Sequence, residues 1–421
     1  MSGQFLVIDY QELAKTAPLM PEIYEPSRHE ALAGPAWNAD VVRKEIVHII
    51  DDFNLALRPS GGWPTHPLED CHAEPKWALY SGAAGAVVAL RILRRAGYIA
   101  LDYSDLLPRI HDAYLKHPDY GYQAGLQLGE IGILTPAVLA DPDDRKLTNR
   151  LVDCMKRTIG HVAREITSGE AGMMHAALSL FRQTHDELWK DLYCEAAHSL
   201  WEAWEYALAT RQWLWRNEIF GSTRSYYGAC HGVAGNAHAF LRGADLLPDE
   251  WTETIIRRTA DTLAEGAIRN DNCANWPLSA DAPPVGKKRL VQWCHGAPGV
   301  VTALAGARQF GFEHWARLAA LVDAAGEQTW IAGPLTKGSG ICHGTAGNGF
   351  AFLALHKCTG DVAWLHRARQ FAMHAIVQCR NARQQYGQGR YTLWTGDGGL
   401  ALYLHYCIHP QTVTFPGLEI F

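Results

Sequence analysis

Long hydrophobic runs and runs of like charge are missing from this sequence. No apolar stretch approaches the roughly 20 residues that a membrane-spanning helix needs. The first ten residues carry no basic segment followed by an apolar core, so we expect no secretory signal peptide. The formal net charge is −6 and basic residues form no run, which argues against nucleic acid and anionic membrane surfaces as partners.

Disulfide frameworks and flexible linkers are also missing. The ten cysteines show no framework spacing in a chain of 421 residues, which favours a reducing compartment, and we expect a cytoplasmic protein. No proline-rich or low-complexity segment divides the chain. A chain of this length would ordinarily suggest two or three domains, but closed repeat folds reach this length as one unit.

What the sequence does contain is a repeat. A Gly-x-x-Gly motif flanked by small and apolar residues occurs seven times, and each copy continues into a helix-like run. The copies are Gly82/Gly85, Gly129/Gly132, Gly169/Gly172, Gly232/Gly235, Gly296/Gly299, Gly344/Gly347 and Gly396/Gly399. Seven copies with this spacing indicate a repeat architecture in which neighbouring units bury one another's faces.

The segments between the glycine motifs have the apolar spacing of amphipathic helices. Examples are residues 186 to 208, 249 to 267, 313 to 330 and 361 to 377. Strand signals are weak and confined to short stretches. Small-residue helices that alternate with amphipathic helices predict an all-α fold, an α/α toroid with seven inner and seven outer helices. We expect this toroid over residues 77–421 and an N-terminal extension over residues 1–76 that caps the ring.

Cysteine and histidine residues stand beside several of these motifs. Cys294 precedes the fifth glycine motif, and Cys342 and His343 precede the sixth. Zinc prefers such ligands, and three of them leave the open fourth position of a catalytic site. The alternative interpretation is two buried small hydrophobic residues and a histidine at a helix start.

The repeat predicts where these side chains meet. Equivalent positions of like units lie at the same end of an inner barrel, so Cys294, Cys342, His343 and His231 should surround one opening. A thiol bound to zinc is deprotonated at neutral pH and is a nucleophile. An acceptor to which the thiolate adds then needs a proton, and His231 is the candidate donor. A histidine bonded to the backbone at a helix start, or a fourth zinc ligand, is the alternative role of His231.

Together these motifs resemble the lanthionine synthetase C family over nearly the whole chain beyond residue 77. The resemblance rests on the seven glycine pairs, on Gly228-Ala229-Cys230-His231-Gly232 and on Cys342-His343-Gly344. Within that family, Trp293-Cys294-His295-Gly296-Ala297-Pro298-Gly299 and Phe415-Pro416-Gly417-Leu418-Glu419 resemble the stand-alone LanC-like proteins. The resemblance implies an α/α toroid with a zinc ion and the addition of glutathione to dehydroalanine or dehydrobutyrine residues in proteins.

The resemblance also implies roles for individual residues. Glu165 matches an acidic position that faces the site, where it would accept a thiol proton or orient His231; a solvated helix carboxylate is the alternative. Lys337 matches a basic position that contacts glutathione, and Arg383 lies near another, whose alignment needs a one-residue gap. Cationic side chains suit the two carboxylates of glutathione; surface solvation is the alternative for both residues. Arg289 is a further candidate, and the family uses neither Cys230 nor His295 as a ligand.

Three functions fit these observations. The first is a zinc-dependent enzyme that adds a thiol, glutathione above all, to dehydroamino acids in peptides or proteins. The second is a lanthipeptide cyclase that forms intramolecular lanthionine rings. The third is a glutathione-binding adaptor with a zinc site and no turnover. The first two share their chemistry at the metal, so the sequence does not separate them.

Overall fold

Helices dominate the computed structural model, which describes residues 22–69, 75–219, 221–281, 288–311 and 315–421. In chain order the α-helices are α1 (Ala39–Ala56), α2 (Ala83–Arg95), α3 (Leu107–Lys116), α4 (Glu130–Ala140), α5 (Arg145–Thr158), α6 (Glu170–Thr184), α7 (Glu187–Glu202), α8 (Val233–Arg242), α9 (Asp249–Gly266), α10 (Ala297–Leu304), α11 (Trp315–Ala332), α12 (Thr345–Thr359), α13 (Val362–Tyr386) and α14 (Asp397–Ile408). Short 3₁₀ helices occur at Pro26–Arg28, Ser104–Leu106, Ala244–Leu246, Ala305–Phe310 and Pro410–Thr412.

The even-numbered helices form an inner ring and the odd-numbered helices surround it. Each inner helix packs against the next inner helix, and α14 packs against α2, so that the ring is closed. The inner helices are rich in small and apolar residues and are buried along most of their length. The expected double ring of an α/α toroid is therefore confirmed.

Backbone hydrogen bonds between the turns that precede the inner helices also close the ring. Each turn donates an N–H to the carbonyl oxygen of another unit's turn. The pairs are Tyr80 to Gln127 (2.9 Å), Gln127 to Thr167 (3.0 Å), Ile166 to Cys230 (3.2 Å), Cys230 to Cys294 (3.3 Å), Cys294 to Cys342 (3.1 Å), Cys342 to Trp394 (2.8 Å) and Trp394 to Tyr80 (3.3 Å). These bonds hold the seven turns together at one end of the barrel.

The second glycine of each motif lies where any side chain would clash with the backbone. A Cβ atom at Gly347 would overlap the carbonyl oxygen of Ile341 and would lie 3.2 Å from the Cβ of Trp293 in the neighbouring unit. The second glycines of the other six motifs meet a backbone carbonyl oxygen in the same way. A side chain there would push the inner helix away from the turn that precedes it.

The strands are short ribbons between helices. β1 (Glu205–Ala207) pairs with β2 (Gln212–Leu214), β3 (Asn217–Ile219) pairs with β4 (Ser222–Arg224), and β5 (Ile268–Asn270) pairs with β6 (Cys273–Asn275), all antiparallel. The helix that the sequence indicates over residues 186 to 208 ends earlier, at Glu202, because the chain turns there into β1. The β1–β4 segment lies between α7 and α8.

The two termini of the described chain complete the toroid. Helix α1 packs against α14, so residues assigned above to an N-terminal extension supply the seventh outer helix. The boundary at residue 76 stays a prediction. At the other terminus, Phe415 stacks on Trp293 with ring centroids 4.9 Å apart. Among the described residues, no helix combines the length and apolar character required to cross a membrane.

Candidate metal centre and acid–base pair

Cys294, Cys342 and His343 come together in the turns that precede α10 and α12. Their ligand atoms lie within 4.8 Å of one another, and all three residues are buried. Zinc binds sulfur and imidazole nitrogen at about 2.0–2.3 Å, so one ion fits this donor set. Two sulfurs and one nitrogen leave a fourth position for water or an incoming thiol. The assignment of these three residues as zinc ligands stays a prediction that this geometry supports.

Hydrogen bonds fix the two cysteines. The N–H of Cys294 donates to the carbonyl oxygen of Cys342 at 3.1 Å, and Nε2 of Gln292 donates to Sγ of Cys294 at 2.9 Å. A hydrogen bond with the Cys294 thiol, together with burial, raises the pKa of Cys342 well above its usual value. Metal binding at the two thiols would therefore release protons and would weaken at low pH.

His295 occupies the same position in its unit as His343 but points elsewhere. The backbone explains the difference: Gly296 has φ +109°, whereas Gly344 has φ −135°. His295 forms a tight turn with Gln292, and its ring centroid lies 5.4 Å from that of His231. Burial, followed by the nearby His231 and His343, lowers the pKa of His295 to about 3. The low pKa favours a neutral His295 beside His231.

His231 and Glu165 form a buried pair. Nδ1 of His231 lies 2.7 Å from Oε2 of Glu165. The same carboxylate accepts the backbone N–H groups of Thr167 and Ser168 at 2.7 and 2.6 Å, so its orientation is fixed. Asn217, at the start of β3, donates its side-chain amide to the carbonyl oxygen of His231. Nothing in the sequence singled out Asn217, because its partner lies across the inserted β1–β4 segment.

The charge state of His231 follows from its neighbours. Burial opposes the charged imidazole, but the Cys230 thiol and the hydrogen-bonded Glu165 carboxylate outweigh it and raise the pKa of His231 well above its usual value. Burial also raises the pKa of the Cys230 thiol. The direction of this shift favours the charged imidazole, whose Nδ1 lies against Glu165.

Cys230 provides a third thiol at the opening. Glu165, Cys230 and His231 also offer ligand atoms within 4.8 Å of one another. The hydrogen bonds that Glu165 already makes to His231 and to two backbone N–H groups favour an acid–base pair over a second metal site. The Cys230 thiol lies 3.4 Å from the Thr167 hydroxyl and 3.7 Å from Oε1 of Gln127, and its exclusion from the ligand set stays a prediction.

Tyr80 is a site residue that the sequence reasoning missed. Burial and the neighbouring Cys342 and Cys294 thiols raise the pKa of Tyr80 well above its usual value, so its hydroxyl keeps its proton beside the ligand set. The repeat could have identified Tyr80 from its position in the sequence. Tyr80 stands two residues before the first glycine of its motif, as Cys294 and Cys342 do in theirs.

The basic candidates differ in their surroundings. Lys337 is exposed and makes no ion pair with any described residue. Arg383, on α13, lies 3.2 Å from Asp52 and 3.2 Å from Asp397, and its Nη1 atom is buried without a hydrogen-bond partner among the described residues. A glutathione carboxylate at Arg383 would compete with two protein carboxylates. Arg289 is half-buried beside Glu25. The roles of these residues stay predictions.

Comparison with known proteins settles the family. A family model described as lanthionine synthetase C-like protein matches residues 72–420, which is most of the chain. The chain belongs to this family. Glutathione S-transferase LANCL1 of Danio rerio is 32% identical over 200 residues, 46% of this chain and 46% of that protein. LanC-like protein GCL1 of Arabidopsis thaliana is 35% identical over 206 residues, 48% of this chain and 45% of that protein.

These two alignments each span less than half the length of the curated relative. The fold similarity extends further. Nisin cyclase superimposes with a TM-score of 0.58 at 17% identity, covering 90% of this chain and 96% of that one. At this identity the match supports the α/α toroid of the lanthionine synthetase C-like family and leaves the substrate open.

Proposed function

We propose that the protein is a zinc-dependent enzyme that adds the thiol of glutathione to dehydroalanine or dehydrobutyrine residues in peptides or proteins. One observation carries the proposal. The turn that carries His231 is linked by backbone hydrogen bonds, from Cys230 to Cys294 and from Cys294 to Cys342, to the turns of the buried Cys294, Cys342 and His343 set. A candidate thiol activator and a candidate proton donor therefore lie at the same end of the barrel. The name of the Danio rerio relative supports glutathione as the thiol.

The chemistry needs a thiolate and a proton. A zinc ion held by Cys294, Cys342 and His343 would keep a bound thiol deprotonated at neutral pH. As the sulfur–β-carbon bond forms, the pair of electrons of the carbon–carbon double bond moves toward the adjacent carbonyl. Because Glu165 holds Nδ1 of His231, the proton on Nε2 is the one that would be delivered to the α-carbon. The proton that the thiol gives up restores His231, so the thiol adds across the double bond without a leaving group.

Lys337 supports glutathione over a small neutral thiol. Its ammonium group is exposed and unpaired among the described residues, and glutathione carries two carboxylates that could pair with it. A cyclase, whose thiol arrives on the precursor peptide, has no need of such a contact.

The test is incubation of the purified, zinc-loaded protein with glutathione and a dehydroalanine peptide, followed by mass spectrometry of the peptide. We expect a thioether adduct. Cys342→Ala should lose most of its zinc and nearly all activity, because two ligands hold zinc poorly. Cys194→Ala, which removes a half-buried thiol on α7 outside the ligand set, should keep both.

Two outcomes would replace the proposal. Ring closure of a peptide that carries its own cysteine, without any glutathione adduct, would establish the cyclase. Glutathione binding without an adduct on either peptide would establish the adaptor.

A further inference from the structure

A cavity of ≈ 410 Å³ opens beside the acid–base pair. Its wall includes His231, Glu165 and Thr167 but none of the three candidate metal ligands. The volume falls within the ~300–1,000 Å³ typical of small-ligand sites. An occupant of this cavity would contact the proton donor.

The β3–β4 hairpin forms one wall and is fixed to the site. Glu218 and Ile219 of β3 line the cavity. The N–H of Glu218 donates to the carbonyl oxygen of Val162 at 3.0 Å, and Asn217 donates to the carbonyl oxygen of His231. Because the hairpin is bonded to the turn that carries His231, the shape of the wall and the position of the proton donor are coupled.

The other wall carries an arginine without a carboxylate partner. Arg157, in the last turn of α5, lines the cavity, is exposed, and donates only to the Tyr122 hydroxyl at 3.3 Å among the described residues. Glu165 offers it no partner, because that carboxylate already serves His231 and two backbone N–H groups. Glu218 stands on the hairpin wall and makes no ion pair with a described residue either. An arginine in this setting suits an anionic group of a ligand.

The thiol and the acceptor must occupy different places. In the proposed reaction the sulfur binds where Cys294, Cys342 and His343 converge, whereas the acceptor places its α-carbon against Nε2 of His231. The cavity touches His231 and not the ligand set. We propose that it holds the acceptor peptide and that Arg157 selects an acidic residue next to the dehydroamino acid. This inference rests on the proposed function and names its acceptor substrate.

The experiment measures binding without turnover. Fluorescein-labelled peptides with alanine in place of the dehydroamino acid carry Glu, Gln or Lys at the adjacent position, and fluorescence anisotropy gives their Kd for the zinc-loaded full chain. We expect the Glu peptide to bind about twofold to fivefold more tightly than the Gln peptide, as for a partly exposed ion pair. Arg157→Gln should abolish that difference.

A matched variant provides the control. Lys156→Gln removes the neighbouring exposed positive charge, which does not line the cavity, and should keep the preference. Loss of the preference in this control would show a general effect of surface charge and would overturn the role of Arg157.

The failure of this inference can be told apart from failure of the proposed function. If Arg157→Gln raises the Kd for glutathione and leaves peptide binding unchanged, the cavity belongs to the thiol and the inference is wrong. Equal binding of the three peptides to the wild-type protein would also contradict it. Neither result depends on whether an adduct forms, which is the test of the proposed function.

Discussion

His231 has its two ring nitrogens in different surroundings. Nδ1 faces Glu165 at 2.7 Å, and that carboxylate has both oxygens engaged by backbone N–H groups. A carboxylate fixed in this way sets the tautomer and the orientation of the imidazole. The reactive proton is therefore the one on Nε2, and Glu165 is a positioning residue in the proposed reaction.

Replacement of His231 separates metal binding from proton transfer. His231→Asn should keep one zinc per chain and lower the rate of thiol addition by roughly 10²–10⁴-fold, the usual contribution of a general acid or base. Zinc analysis and mass-spectrometric rates measure the two effects. His198→Asn, on the exposed face of α7, is the control. Loss of zinc in the His231 variant would make this residue a ligand, and full activity would remove it from the mechanism.

The pH dependence of activity tests whether Glu165 controls the pKa of His231. Because the pKa of His231 is raised, the proton donor persists through neutral pH, and activity should fall only as pH rises through that raised value. The free energy that the His231–Glu165 pair contributes to folding is likewise fully present below the usual histidine pKa. It is lost as the pH rises through the raised pKa of His231. Glu165→Gln removes the carboxylate, so the fall of kcat should move to lower pH. Identical pH profiles for the two proteins would contradict the coupling.

The helices begin in two different ways. Outer helices α1, α5, α7 and α13 start after Asn38, Asp144, Asp186 and Asp361, whose side chains accept backbone N–H groups of the first turn. Inner helices start after the first glycine of each motif, with no side-chain cap. Their second glycines admit close contact with the preceding turn. The inner helices are therefore positioned by backbone packing, and the side chains of their turns remain available for the site.

Gly347 provides a test of that packing. Gly347→Ala would press a methyl group against the Ile341 carbonyl and toward Trp293, which should lower the free energy of unfolding by about 1–3 kcal/mol and weaken zinc binding, because Cys342 and His343 belong to the same turn. Gly306→Ala is the matched control. A Cβ there meets nothing within 4 Å, so stability should change by less than about 0.5 kcal/mol. Equal thermal and metal-binding behaviour of the two variants would contradict this account.

The whole ring determines the metal centre. Cys294 and Cys342 lie 48 positions apart in the sequence (342 − 294), and hydrogen bonds between the turns of successive units bring them together. The C-terminal segment supports this arrangement from within the barrel, where Phe415 stacks on Trp293, the residue before Cys294. The nine cysteines within the described residues are free thiols, so no disulfide occupies Cys294 or Cys342.

Much of the toroid and of its opening could be predicted, because the repeat carries both. Seven glycine motifs give seven inner helices, and residues just before a motif, such as Cys294 and His343, must lie at one end. The repeat could not predict that α1 is the seventh outer helix, since α1 follows no glycine motif. It also could not predict that Asn217 contacts His231 or that Asp52 pairs with Arg383, because Asn217 and Asp52 lie in segments outside the repeated unit.

X-ray absorption at the zinc edge tests the central claim most directly. The zinc-loaded protein alone should show two sulfurs, one nitrogen and one further light atom, the donor set of Cys294, Cys342 and His343 with an open fourth position. Addition of glutathione should change this to three sulfurs and one nitrogen. A zinc ion with two nitrogens, or a coordination shell that glutathione leaves unchanged, would contradict the account.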